Sequence, residues 1–108
     1  MAERTYLTQA DEALRRAQAN ASELPRLLTG IATYLTQHHA WTDVDEQTLT
    51  WLASHHAWQH VDIATEGISD QPRVNALRGA LLLSMPAPRR GETRGEYAIR
   101  LRAVARSL

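Results

Sequence analysis

Histidine is the residue type best placed to do chemistry in this chain. Five histidines (His38, His39, His55, His56 and His60) and all three tryptophans lie in two matching windows, "TYLTQHHAWTDVD" and "TWLASHHAWQHVD", offset by 17 residues. The first chemistry to weigh is metal binding. His56 and His60 stand one helical turn apart, a spacing that holds Zn or Ni from one helix face. His38 or His39 supplies a third ligand if the two helices pack antiparallel. Against a metal site, no carboxylate completes an HExxH arrangement and there is no cysteine to share the work. No metal and no cofactor is therefore expected.

A repeat architecture is also disfavoured, because 17 residues is too short for a helix-turn-helix unit and no third copy exists. The expected reading is architectural. A histidine at a helix end complements the dipole and bonds the last carbonyls. Trp41 then folds back over that end as an apolar cap, and residues 55–58 make a second, similar helix end.

No GxSxG elbow, P-loop, GxGxxG or kinase signature occurs. Ser54 is merely adjacent to His55, which is not the geometry of an activated nucleophile. A non-enzymatic protein is expected.

The elements that carry these residues read as helices. Fourteen leucines and seventeen alanines stand against four valines and four isoleucines, a balance that favours helix over sheet. A first helix runs from Thr5 or Thr8 to about Asn20. A second, about 23–40, places Leu24, Leu27, Leu28, Ile31, Tyr34, Leu35 and His38 in an arc of about 120°. A third, capped by Thr42 or Asp43, buries Leu49, Leu52, His56 and Ile63. Trp51 and Trp58 lie to one side of it, Val61 points the opposite way, and the helix is expected to break near His60. Residues 67–72 form a turn, and Asp70 or Ser69 caps a helix over 71–85 that faces inward through Val74, Leu77, Leu81 and Met85. "MPAPRRGE" stops it. Thr93 and Glu96 form a capping box for a last helix with the core line Tyr97, Leu101, Val104 and Leu108. The expectation is one all-α domain over 1–108, a compact bundle of five or six short helices.

The zero net charge conceals a split. Residues 1–70 carry four arginines and ten acids, net −6; residues 71–108 carry eight arginines and two acids, net +6. Lysine is absent, which reads as codon bias of a GC-rich bacterial or phage genome rather than as chemistry. On the last helix Arg102 and Arg106 lie opposite the core line with Ile99 between them. An apolar residue among arginines suits a protein interface.

Ile99, Arg102 and Arg106, with Arg94, Arg89 and Arg90, are therefore the expected partner-binding residues. The expected function is protein interaction, as an adaptor, inhibitor or regulator, with a partner of acidic surface. Nucleic-acid binding through the Arg-rich C-terminal third is the alternative, a histidine metal protein comes third, and a homodimer is compatible with the sequence. The longest uncharged apolar run, "ALLLSM", is too short to span a bilayer, and "MAERTYLTQADE" has no signal pattern. A cytoplasmic protein without membrane contact is expected.

If the histidines serve architecture rather than metal, dialysis against a strong chelator leaves helicity and melting temperature unchanged. A fall in melting temperature restored by zinc would reverse that assignment.

Overall fold

A computed structural model describes residues 23–64 and 70–108, with side chains described to Asp62 in the first segment. Four helices make up these residues: α1 (23–37), α2 (Glu46–Ala64), α3 (Gln71–Ser84) and α4 (Arg94–Ser107). The described chain is thus all-helical, with four helices rather than five or six. The helix expected near 5–20 lies outside the described residues, as do residues 67–69 of the expected turn and the side chain of Ile63.

The leucine stripe of α1 does what its spacing requires. Leu27, Leu28, Ile31, Ala32 and Leu35 are buried in one cluster with residues of α2, α3 and α4. The helix stops at 37 rather than 40. His39 turns left-handed at φ 58°, and the Thr42 N–H closes the turn on the His39 carbonyl at 2.9 Å.

The cap of α2 is Asp45, not Thr42 or Asp43. Its carboxylate accepts the Thr48 N–H at 2.7 Å and the Thr48 hydroxyl at 3.0 Å. Thr42 and Val44 are engaged elsewhere: the Arg94 N–H donates to the Thr42 carbonyl at 2.8 Å, and the Val44 N–H to Glu92 at 2.9 Å. These bonds flank an isolated antiparallel bridge between Asp43 and Thr93; the described residues contain no strand.

α2 then runs unbroken through His60, against the expected break. Val61 is 1% exposed rather than turned outward. Ala53 and Ala57 explain the difference. Both are fully buried and small, so they widen the inward face until it takes in Leu49, Leu52 and Val61 together. α1 and α2 are antiparallel, as their contacts show. Tyr34 meets Trp51, the His56 ring lies 3.6 Å from where a Gly30 Cβ would stand, and His60 meets Glu23. α3 packs on α2 and buries Val74, Leu77 and Leu81. Asp70 caps it through the Arg73 N–H, with Pro72 in its first turn.

α4 opens with the expected capping box of Thr93 and Glu96. It buries Tyr97, Ala98, Leu101 and Ala105; Leu108 is 61% exposed, so the expected core line ends one turn early. The start of α4 rests on the end of α1. The Gly95 N–H donates to the Ala40 carbonyl at 2.8 Å, and a Gly95 Cβ would stand 3.2 Å from that oxygen.

The loop before α4 is organised by the buried Glu92. Its carboxylate accepts the Arg89 N–H at 3.0 Å and Arg100 Nη1 at 2.7 Å. Burial pushes that carboxyl up, but the Arg89 N–H and the Arg100 guanidinium outweigh it and hold it below the usual range. The Tyr97 hydroxyl, pushed up to about 12 by burial, donates to the Pro86 carbonyl at 2.7 Å.

Two glycines give opposite expectations in chemical denaturation. Gly95→Val forces a branched side chain against the Ala40 carbonyl and lowers stability by about 1–3 kcal/mol. Gly79→Ala, with nothing within 4 Å of its Cβ, raises stability by about 0.5–1 kcal/mol. Separately, Arg100→Ala strands the Glu92 carboxylate and costs about 3 kcal/mol near neutral pH.

Candidate interaction surface

The doubled window does not make two helix ends. Its first copy ends α1, whereas its second lies inside α2. What the copies share is a stack of rings one helical turn apart. Tyr34 stacks on His38 at 4.0 Å between centroids and 16° between planes. Trp51, at the matching position, stacks on His55 at 5.0 Å and 6°. Because α1 and α2 are antiparallel, the stacks meet: Tyr34 and Trp51 lie 6.2 Å apart, and His55 continues to Trp58 at 6.4 Å. The result is a continuous strip of rings from His38 to Trp58.

This strip is on the surface. Trp51 is 54% exposed and Trp58 52%. Trp41 does not cap the helix end; it stands 77% exposed, its ring edge-on to His39 at 5.6 Å. The reason is the left-handed turn at His39, which carries the chain off toward the Asp43–Thr93 bridge before Trp41 can fold back.

The same antiparallel pairing separates the histidines. His38 and His55 belong to the ring strip, while His56 and His60 face Gly30 and Glu23 of α1. Among the described residues, no group of three His, Asp or Glu side chains is placed to hold a metal ion. His38 Nδ1 lies 3.0 Å from the Tyr34 carbonyl, and His56 Nδ1 lies 2.8 Å from that of Leu52. A carbonyl only accepts, so Nδ1 carries the hydrogen in both rings. The helix-end role expected for His38 thus holds in its hydrogen bond, although the ring is exposed rather than on the core face.

Between the two stacks and the start of α4 lies an open hollow of about 380 Å³, lined by Tyr34, Asp45, Gln47, Thr48, Trp51 and Arg94. The Thr48 N–H holds the Asp45 carboxyl below its usual range, with a further contribution from the Arg94 charge. Aromatic faces beside a carboxylate suit a cationic side chain. The Ser54 hydroxyl donates to the Thr50 carbonyl at 2.9 Å.

The six residues expected from sequence to bind a partner are not one patch. Ile99 is 67% exposed and Arg106 is exposed on the same outer face of α4. Arg102 is half-buried on the flank of that face and reaches Thr36 Oγ1 of α1 at 3.4 Å. Arg89 and Arg90 are exposed on the loop before α4. Arg94 is structural in placement: its Nη1 donates to the His38 carbonyl at 3.0 Å, and its Nε is shielded from solvent with no acceptor.

Trp51, which is exposed, and Tyr34, which is half-buried against the core as its arc predicts, were missed as residues of this strip. Their signal was in the sequence, since each copy places an aromatic four residues before a histidine.

Burial lowers the His56 pKa from its ordinary 6.5, outweighing the Leu52 carbonyl, which favours the proton. The unfolded chain therefore binds this proton at a higher pH than the folded one. Stability contributed by neutral His56 is complete above 6.5 and is lost as pH falls through 6.5 toward the folded value. Denaturation midpoints should fall between about pH 7 and pH 5, and His56→Gln should flatten that slope.

No protein-family model matches this chain, and neither curated proteins nor solved structures show a match to it.

Proposed function

We propose that this chain is a small non-enzymatic protein-interaction module, acting as an adaptor, inhibitor or regulator. One observation carries the reading: all three tryptophans are more than half exposed. Tryptophan buries large apolar area when it can, and it is enriched at the anchor points of interfaces. Here Trp51 is stacked on His55, which also meets the tilted Trp58 ring, so side-chain entropy is already restricted before a partner arrives. The exposed arginines of α4 and its preceding loop supply the complement for an acidic partner surface.

A nucleic-acid reading draws on Arg89, Arg90 and Arg106, which are exposed. It lacks the strip's support, because the exposed Asp45 carboxylate lies beside Trp51 and repels phosphate. No described helix is long and apolar enough to cross a membrane.

The test is comparative capture. Trp51→Ala with Trp58→Ala should leave the melting temperature nearly unchanged, since exposed substitutions cost about 0.5 kcal/mol or less. The double variant should lose the protein that the unaltered chain retains. Retention at full strength by the folded variant would reject the tryptophan face as the contact surface. Binding to arbitrary duplex DNA that falls steeply with salt would favour nucleic acid instead.

A further inference from the structure

The charge split has a location. The first 22 residues are neutral in sum, so the acidic excess of the N-terminal half belongs to residues 23–70. Asp43 and Asp45 are exposed just before α2, and Asp45 shares a hollow with Trp51. The arginines are concentrated on α4 and the loop before it. Inside one molecule the Arg94 charge reaches Asp45, but no close ion pair among the described residues joins the two sets. Among the described residues, the close ion pairs join Glu23 to His60 and Glu92 to Arg100, each within its own half.

The two charged patches lie on opposite flanks of α1. Thr36, which receives Arg102, and Tyr34, which meets Trp51, sit about 160° apart around α1 at 100° per residue. The arginine face of α4 therefore borders one flank of α1, and the tryptophan strip of α2 borders the other. A surface with complementary halves on either side of one helix is self-complementary. A two-fold axis over α1 sets each half against its opposite, and every contact is made twice.

We infer that the partner seated on the tryptophan face is a second copy of this chain, in a two-fold dimer that lays the α4 strip of Ile99, Arg102 and Arg106 on the partner's Trp51–Trp58 strip and its flanking acids. The inference rests on the interaction reading above and names its partner. The chemistry fits on two counts. Guanidinium groups stack on indole faces and are more weakly hydrated than ammonium, so they lose less on leaving water. Ile99 provides an apolar centre for the tryptophans.

Sedimentation velocity on the full chain tests this. At about 0.05 M salt the protein should sediment as a dimer, and the dimer should weaken at about 1 M salt, where the Debye length is about 3 Å. Arg102→Glu with Arg106→Glu should weaken it by about tenfold or more, as should Asp43→Arg in a separate chain. Mixed in equal amounts, the two charge-reversed chains should recover the dimer, because each now carries the complement of the other's altered patch. The single variant Arg106→Glu, at an exposed site, serves if the double variant fails to fold.

A monomer at every concentration in low salt overturns the inference, and so does a dimer indifferent to both reversals. Failure here is separable from failure of the broader reading. If the protein is monomeric yet the tryptophan variants lose a captured protein, only the identity of the partner is wrong.

Discussion

The arrangement of this protein depends on a short backbone junction, where residues 40–44 meet 92–95. Three N–H groups are committed there: Gly95 to Ala40, Arg94 to Thr42 and Val44 to Glu92. All three are contacts between segments about 50 residues apart, so each closes a long loop and bears its entropic cost. Gly95 is the enabling residue, because the Ala40 carbonyl occupies the space its Cβ would need. The junction draws the chain out of α1 through a left-handed turn and delays the start of α2 until Asp45. It also places α4 against the end of α1. Glu92 secures it from below by ordering its own loop through Arg89 and Arg100.

From that junction follows the fate of the aromatic residues. Because α1 ends at 37 and α2 returns antiparallel, the Tyr34–His38 and Trp51–His55 stacks face each other across the helix pair. Local physics makes each stack, since residues four apart share a helix face. The long-range turn makes them one surface. The same turn denies the histidines a common centre, sending two into the strip and two toward Gly30 and Glu23. Trp41 is left without a helix end to cover.

Exposed indole and separated charge are both costly for an isolated domain. The rings expose apolar area that burial would stabilise by about 25 cal/mol per Å². The arginine-rich face repels itself unless a counter-charge approaches. One complementary contact removes both costs, which is why the ring strip and the arginine strip belong in one functional proposal rather than two.

Much of this was written in the chain itself. The apolar stripe of Leu27, Leu28, Ile31 and Leu35, the Asp70 cap of α3, the proline stop after Ser84 and the Thr93–Glu96 capping box are local signals. Each needs only neighbours within a turn or two, so sequence spacing alone determined them. Ile99 and Arg106 were legible as outward for the same reason, from the period of α4. Three features were not legible. The continuation of α2 through His60 depends on Ala53 and Ala57 being covered by neighbouring helices, and alanine carries no directional signal of its own. The shift of the α2 cap to Asp45 depends on Thr42 and Val44 being engaged by α4, which lies far along the chain. The exposure of Trp41, Trp51 and Trp58 runs against the transfer preference of indole. Only the tertiary junction, which settles how much partner surface each helix receives, decided that these rings would face solvent.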